Sequence, residues 1–555
     1  MNKKEYTYDI STFKEVFNHE FTYINGFLRN VHRFANRPAL TCPVREKTWT
    51  YTDLNLEVNR LAKALQEDGI GANDIVMYQI LNAAEFVFLF LAPQKLGVIN
   101  CPINFRLAPG ETAYIIDESK PKVFVYDAEM RQDALKALSM AEHKPERIIM
   151  VDVYSKVTAP PGHILYEDYI RNKAIDEPQT SFISDIYTET TRLYTSGTTG
   201  LPKGVPLNNV IEVLSAHDVI MHFPLSPHDV TMNMSPWFHR GGLHSGGPVP
   251  TLYVGGQIVV LRQFNPKQCL ELAEKYRVTY LIGAPPMLKM LHDKQVKNRV
   301  DLTNLKGIVT MGAPLEKEAC IKFQQSLTPN IFNGYGTTEA FWNTFLRPYD
   351  LPAMAGTAGR ACTDDDVAVV KIFPDRRAEP WEHVAKDNQE TGEIIVKAPT
   401  KTTHSYVRND TERERVFYKG WIYIGDLGTW DENEFITVVG RKDDMIISSG
   451  ENIHPVQIEE ILNEHEKVKE SIVIGMHDEL RGEAVVAYVI KASPDLIAKE
   501  LTEFCNNHPM LAKYKRPRYY RFVDELPFTA TGKKMHFKVK QQALKDLAEG
   551  LLERG

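Results

Sequence analysis

A chain of 555 residues exceeds what one hydrophobic core supports, so two or more domains are expected. Its composition, 43% hydrophobic and 25% charged, is that of a soluble globular protein. A net charge of -7 with no long basic run argues against nucleic acid or an anionic membrane as the main partner.

The first forty residues read as helical, with Phe13, Val16 and Phe17, then Ile24 and Phe27, at helix spacing. Thr48–Thr52 reads as a strand, and Tyr51–Leu54 opens a helix carrying Leu54, Val58, Leu61, Ala62 and Leu65 on one face. Val76–Ile80, Val123–Tyr126 and Ile148–Val151 are strand candidates, and Phe86–Leu96 is a helix candidate. Strands alternating with helices indicate an α/β fold with largely parallel sheets. The longest apolar run, Phe86–Pro93, is far short of the ~20 residues that a membrane span needs. Met1–Lys4 leads into polar residues rather than a secretory signal, and Glu553-Arg554-Gly555 is not a peroxisomal address, so a cytoplasmic location is expected. Cys42, Cys101, Cys269, Cys320, Cys362 and Cys505 include no C-x-x-C pair, which suits reduced core thiols and gives no zinc site.

Tyr194–Gly204 reads Y-T-S-G-T-T-G-L-P-K-G. Gly197 and Gly200 allow the backbone N–H groups to turn inward as an anion nest. Thr195, Ser196, Thr198 and Thr199 add hydroxyl donors, and Lys203 adds a positive charge. The P-loop pattern fails, because Pro202 and Gly204 flank Lys203. Met232–Gly247 sets glycines beside Trp237, Phe238 and His239. That pattern reads either as a glycine-rich buried turn or as backbone approaching a ligand under an aromatic wall. Ile308–Pro314 is a strand leading into a loop, where ligands of open α/β sheets sit. In Asn333–Glu339, N-G-Y-G-T-T-E, Tyr335 offers a stacking ring and Glu339 a hard oxygen ligand for Mg²⁺. Gly420–Asp426 reads as a strand ending at an aspartate, and Gly440–Asp444 holds four consecutive charges. Near the end, Lys533 follows Thr531-Gly532, a turn from which a lysine reaches a phosphoryl oxygen.

These motifs, in this order along essentially the whole chain, resemble the adenylate-forming superfamily: acyl-CoA synthetases, peptide-synthetase adenylation domains and firefly-type luciferases. The resemblance is greatest to medium-chain and aryl or alicyclic acyl-CoA ligases. It implies a large N-terminal domain over residues 1–440, with α/β sheets and a distorted β-barrel, and a small mobile α+β lid over 441–555. It implies that Thr195, Ser196, Gly197, Thr198, Thr199, Gly200 and Lys203 hold ATP, with Gly312, Ala313 and Pro314 beside the adenine. Asn333, Gly334, Tyr335, Gly336 and Thr337 would line the nucleotide, Thr338 the α-phosphate, Glu339 the Mg²⁺ and Asp426 the ribose. Arg441 would reach the nucleotide, and Asp443 would be the hinge. Trp237, Phe238, His239 and Gly242 would form the acyl pocket, and Ser449, Gly450 and Glu451 would pass the arm of coenzyme A. Lys533, Thr338, Glu339 and His239 would be the catalytic set. Lys534 stands where an aliphatic residue is common, so a substitute role for it stays open. The implied activity is ATP-dependent joining of a hydrophobic acid to CoA, in an enzyme class where homodimers are common. Loading of a separate carrier protein, a luciferase-like oxygenase and a catalytically dead nucleotide-binding module are the alternatives.

Overall fold

The computed structural model describes residues 9–196, 202–373, 375–448, 451–478, 482–508, 511, 515–528 and 534–555. Local chemistry sets many elements. Thr50 caps the helix Tyr51–Glu67 and exchanges bonds with Asp53 in a capping box. Leu54, Val58, Leu61, Ala62 and Leu65 form its buried stripe. The apolar run at Phe86 is the helix Ala84–Gln94, buried along its whole length. Among the described residues no helix is long and apolar enough to cross a membrane. Helices Ile10–Glu20 and Tyr23–Arg33 form where the periodicity places them. The second buries Ile24 and Phe27, whereas the first leaves Phe13, Val16 and Phe17 exposed. All six cysteines are free and buried.

The fold is α/β, and it divides into two compact units. The first comprises Met1–Gly356, Ala361–Asp366 and Ala398–Gly420; the second comprises Thr357–Arg360, Val367–Lys397 and Trp421–Gly555.

Two sheets organise the first unit. Eight strands of one nine-stranded sheet run in the order Phe341–Leu346, Ile331–Thr337, Gly307–Met311, Tyr280–Gly283, Val230–Asn233, Gln257–Val259, Pro38–Cys42 and Lys47–Thr50. Every neighbouring pair in this row is parallel except those at its two ends. The other sheet centres on Ile75–Gln79, with Val123–Asp127 and Ile99–Pro102 on either side, both parallel to it. Its middle strands are buried throughout and read as unbroken apolar runs, as parallel strands covered on both faces do. Because Val230–Asn233, Tyr280–Gly283, Gly307–Met311 and Ile331–Thr337 are parallel neighbours, their carboxyl ends share one edge of the sheet. That edge is the ligand side of open α/β sheets.

The second unit holds a sheet in which Trp421–Trp430 pairs antiparallel with both Gly392–Lys397 and Ile436–Arg441. The strand expected to end at Asp426 continues four residues further, because Leu427 and Trp430 keep burying apolar surface. A further sheet pairs Val468–Asp478 with Gly482–Lys491 and is packed by the helices Pro455–Asn463 and His536–Ala548. Its core gathers Ile458, Leu462, Val473, Val485 and Leu501.

Candidate active site

Strand Ile331–Thr337 carries Asn333, Gly334, Tyr335, Gly336 and Thr337 into a turn that returns as Phe341–Leu346. A methyl group at Gly336 would lie 1.6 Å from the Phe341 carbonyl oxygen, so only glycine lets the two strands close this tightly. Thr337 Oγ1 accepts from the Ala340 amide at 3.2 Å and fixes the turn. Glu339 sits within it, and the Tyr406 hydroxyl donates to its Oε1 at 2.6 Å. Among the described residues the second carboxylate oxygen accepts no hydrogen bond. One anchored and one uncommitted carboxylate oxygen fits a ligand for a hard divalent cation such as Mg²⁺.

Arg240 grips the same turn from another side. Its Nη1 donates to the Thr338 carbonyl at 2.6 Å, and its Nη2 donates to Lys401 O at 2.9 Å and Ser215 Oγ at 3.2 Å. Burial pulls this guanidinium down to about 10 against Glu212, Glu339, Asp218 and Asp365, so it stays charged at neutral pH.

Only the flanks of the hydroxyl-rich loop lie among the described residues. Thr195 and Ser196 end the strand Glu189–Ser196 and pair across a hairpin with Lys203 and Pro202. Gly197, Thr198, Thr199 and Gly200 lie outside the described residues. Lys203 is buried in an ion pair with Glu412. The Arg415 guanidinium and then the Lys203 ammonium hold the Glu412 carboxyl at about 2. Gly312, Ala313 and Pro314 form the loop directly after Gly307–Met311, at the sheet's carboxyl edge.

The segment carrying Trp237, Phe238, His239 and Gly242, the expected acyl segment, follows Val230–Asn233 on that edge. Asn82 braces it, donating to Ser235 O at 3.1 Å while accepting from the Trp237 amide at 2.9 Å. Asn233 Nδ2 adds bonds to Gly242 O at 3.1 Å and Ser245 O at 3.0 Å. A methyl at Gly242 would meet Pro236 O at 1.9 Å, so this wall is backbone packed on backbone. Trp237 is fully buried and packs edge-on against Phe86, which makes it part of the core behind the segment. Phe238 packs edge-on against Phe105, and its ring is tilted against that of His239. Burial, with Arg106 nearby, holds His239 at about 4, so its imidazole is uncharged at neutral pH. Methionines crowd the rest of the wall. Met311 Sδ lies 3.2 Å from where a Gly241 side chain would begin, and Met234 Cε and Met287 Sδ lie 2.6 and 3.2 Å from the equivalent point at Gly283.

In the second unit Asp426 and Arg441 face each other across the ladder of Trp421–Trp430 and Ile436–Arg441. Their ion pair measures 2.9 Å, and Arg441 also donates to Ile424 O at 3.0 Å. Asp443 falls in the 3₁₀ turn Lys442–Asp444, and Glu451 opens the strand Glu451–Ile453. Ser449, Gly450 and Lys533 lie outside the described residues. Lys534 is described, and its ammonium lies between Glu459 at 3.0 Å and Glu470 at 2.9 Å. Against the effect of burial, those carboxylates raise its pKa, and they commit its charge to the local core. A substitute role for Lys534 would have to break both pairs.

Tyr406, Arg240, Asn82 and Glu412 escape the sequence reading. Each acts on a residue dozens of positions away, and none belongs to a local pattern. Arg240 stands between His239 and Gly241, where a charge among glycines and aromatics is the available signal.

The AMP-binding enzyme family matches residues 27–407, and the AMP-binding enzyme C-terminal domain matches residues 457–533. The indoleacetate–CoA ligase of Aromatoleum aromaticum is 30% identical over 89% of this chain and 93% of its own. The medium-chain fatty-acid–CoA ligase of Escherichia coli is 27% identical over 91% of this chain and 88% of its own. Among solved structures, the anthranilate CoA ligase AuaEII in complex with anthranoyl-AMP superimposes with a TM-score of 0.84 at 25% identity, covering 95% of this chain and 98% of that one. The o-succinylbenzoate CoA synthetase of Bacillus subtilis, in complex with ATP and magnesium ion, gives 0.78 at 26% identity, covering 93% and 99%. With the family match spanning most of its length, and a carboxylate turn at the carboxyl edge of its parallel sheet, this chain belongs to the AMP-binding enzyme family.

Proposed function

We propose that the protein is an AMP-forming acid–thiol ligase that activates a hydrophobic carboxylic acid and transfers it to CoA. The observation that carries this reading is Glu339, held through one oxygen by Tyr406 beside the Arg240-anchored Thr338. ATP and CoA are its co-substrates. Glu339 would hold Mg²⁺, which would neutralise phosphate charge.

In the first half-reaction a carboxylate oxygen attacks the α-phosphorus, and the bond to the β-phosphate oxygen breaks with release of pyrophosphate. Thr338 binds the α-phosphate and Lys533 offsets its developing charge. Asp426 accepts from the ribose hydroxyls, with Arg441 beside the nucleotide, and Gly312–Pro314 and Tyr335 flank the adenine. In the second half the CoA sulfur attacks the acyl carbonyl, the bond to phosphate breaks, AMP leaves and the thiol proton passes to solvent. Residues 441–555 act as a lid turning about Asp443, which withdraws Lys533 and brings Ser449, Gly450 and Glu451 to the thiol. His239, uncharged, serves on the acyl side. The apolar, methionine-lined wall suits a medium-chain, alicyclic or aromatic acid. We place the enzyme in the cytoplasm, within a class where homodimers are common.

The test is pyrophosphate release with Mg·ATP across acetate, hexanoate, octanoate, palmitate, benzoate and cyclohexanecarboxylate, with and without CoA. A peak for one hydrophobic class, followed by CoA-dependent AMP release, is expected. Adenylate formation without CoA-dependent release would instead favour a carrier-protein loader or a luciferase-like oxygenase. Lys533→Ala should abolish adenylate formation yet leave thioester formation from supplied acyl-adenylate intact.

A further inference from the structure

Arg240 directly follows His239 in the acyl segment, yet its side chain ends on the nucleotide turn. It is 3% exposed, and its planar fork bridges three separate stretches of chain: the Thr338 carbonyl, the Lys401 carbonyl and the Ser215 hydroxyl on helix Asn209–His222. The Phe341 ring lies 5.4 Å from the guanidinium carbon and covers it. A buried cation is costly to place unless it is paired and hydrogen-bonded. Here it faces four carboxylates, Glu212, Glu339, Asp218 and Asp365, of which Glu339 belongs to the turn itself.

We infer that Arg240 is a positioning residue that ties the acyl segment to the Thr338–Glu339 turn, so that the acid and the α-phosphate are held in register. The inference rests on the assignment of Thr338 and Glu339 to Mg·ATP. The fork donates to a carbonyl on the turn and to another on the Lys401 loop, which fixes the Thr338 backbone in both direction and depth. A lysine has one ammonium and no fork, so it cannot hold both carbonyls in that geometry. Arg240 contacts no reacting atom in this scheme; it acts through the turn. Its loss therefore falls on the adenylation step, in which carboxylate and α-phosphorus must meet, and not on thioester formation from a completed adenylate.

The experiment measures both half-reactions for Arg240→Lys and Arg240→Met in the full-length enzyme, with thermal midpoints recorded alongside. Adenylation, read as pyrophosphate release, should fall roughly 100-fold in kcat for Arg240→Met, the scale of a misplacement near 1 Å. Arg240→Lys should recover part of that loss, with the KM for the acid changing less than kcat. Thioester formation from supplied acyl-adenylate should stay within about twofold of wild type, since fixed positioning is no longer needed. Ser215→Ala, which removes one bond of the fork and leaves the Thr338 contact, should move neither half appreciably. Should Arg240→Met fail to fold, Arg240→Lys decides. An unchanged adenylation kcat in a folded Lys variant overturns the inference, as does a parallel fall of both half-reactions. Glu339→Gln, run beside these, separates the two levels: if it keeps full adenylation the reading of the site has failed, whereas an inactive Glu339→Gln with wild-type Arg240 variants sinks only the positioning role.

Discussion

The turn at Thr338–Glu339 and the pair Asp426–Arg441 both present charge, but they are held in opposite ways. The turn depends on side chains brought from elsewhere: Tyr406 on Glu339, Arg240 on Thr338, and a backbone approach at Gly336 that excludes any side chain. Asp426 and Arg441 hold each other, because strand register places them directly opposite. A pair fixed by register needs only its own two strands to form. A turn fixed by distant anchors has its geometry decided by parts of the chain that no local pattern names, and it fails when any one of them is lost.

That contrast can be broken at several points. Gly336→Ala should have the largest effect, since its methyl would enter the Phe341 carbonyl. A loss of more than about 3 kcal/mol in unfolding free energy is expected by denaturant titration. A stable Gly336→Ala enzyme would show that the turn is looser than its contacts imply. Tyr406→Phe keeps the ring and removes the hydroxyl on Glu339. The Mg²⁺ concentration for half-maximal pyrophosphate release should rise by roughly tenfold to a hundredfold, as for other lost partners of metal ligands. An unaltered Mg²⁺ requirement would separate Tyr406 from the metal site. Asp426→Asn leaves the ladder in place and weakens the ion pair, so the KM for ATP should rise about tenfold with little change in melting temperature. A large drop in melting temperature would mean that the pair is structural instead.

The smallest effect is the pH dependence of stability. His239 and His222 are both held at about 4, in each case chiefly by burial. In the unfolded chain an imidazole takes its proton near 6.5. Between those values the unfolded state binds more protons, so stability should fall as pH drops from about 6.5 toward 4. Asp365, raised by burial to about 6, acts in the other direction over part of that window and blunts the slope. Thermal midpoints that stay flat or rise between pH 6.5 and 5 would contradict the burial of these histidines.

Much of this was legible in the residues. The alternation of strands and helices predicts the α/β sheets, and the N-G-Y-G-T-T-E run marks the turn, because glycines and a carboxylate at fixed offsets are local features. Periodicity was a weaker guide. It places Phe13, Val16 and Phe17 on one helical face correctly, yet it cannot say whether anything covers that face, and they are exposed. Trp237 is fully buried edge-on against Phe86, and an aromatic beside glycines carries the same sequence signal whether it faces a ligand or the core. Glu412 and Tyr406 were invisible for a different reason: their partners lie 209 and 67 residues away. Long-range pairing of that kind is written in the folded geometry and has no counterpart in local spacing.

The wall of the acyl segment also sorts positions for anyone redesigning this enzyme. Around Gly242 it is main chain against main chain, braced by Asn82 and Asn233, so a library of substitutions there would chiefly yield unfolded protein. Around Gly241 and Gly283 the nearest atoms belong to the side chains of Met311, Met234 and Met287, unbranched chains that adapt to a changed neighbour more readily than main chain does. On the proposed placement of the acid beside Trp237–Gly242, variation confined to those three methionines should shift acid preference with less loss of folded protein than variation at Gly242.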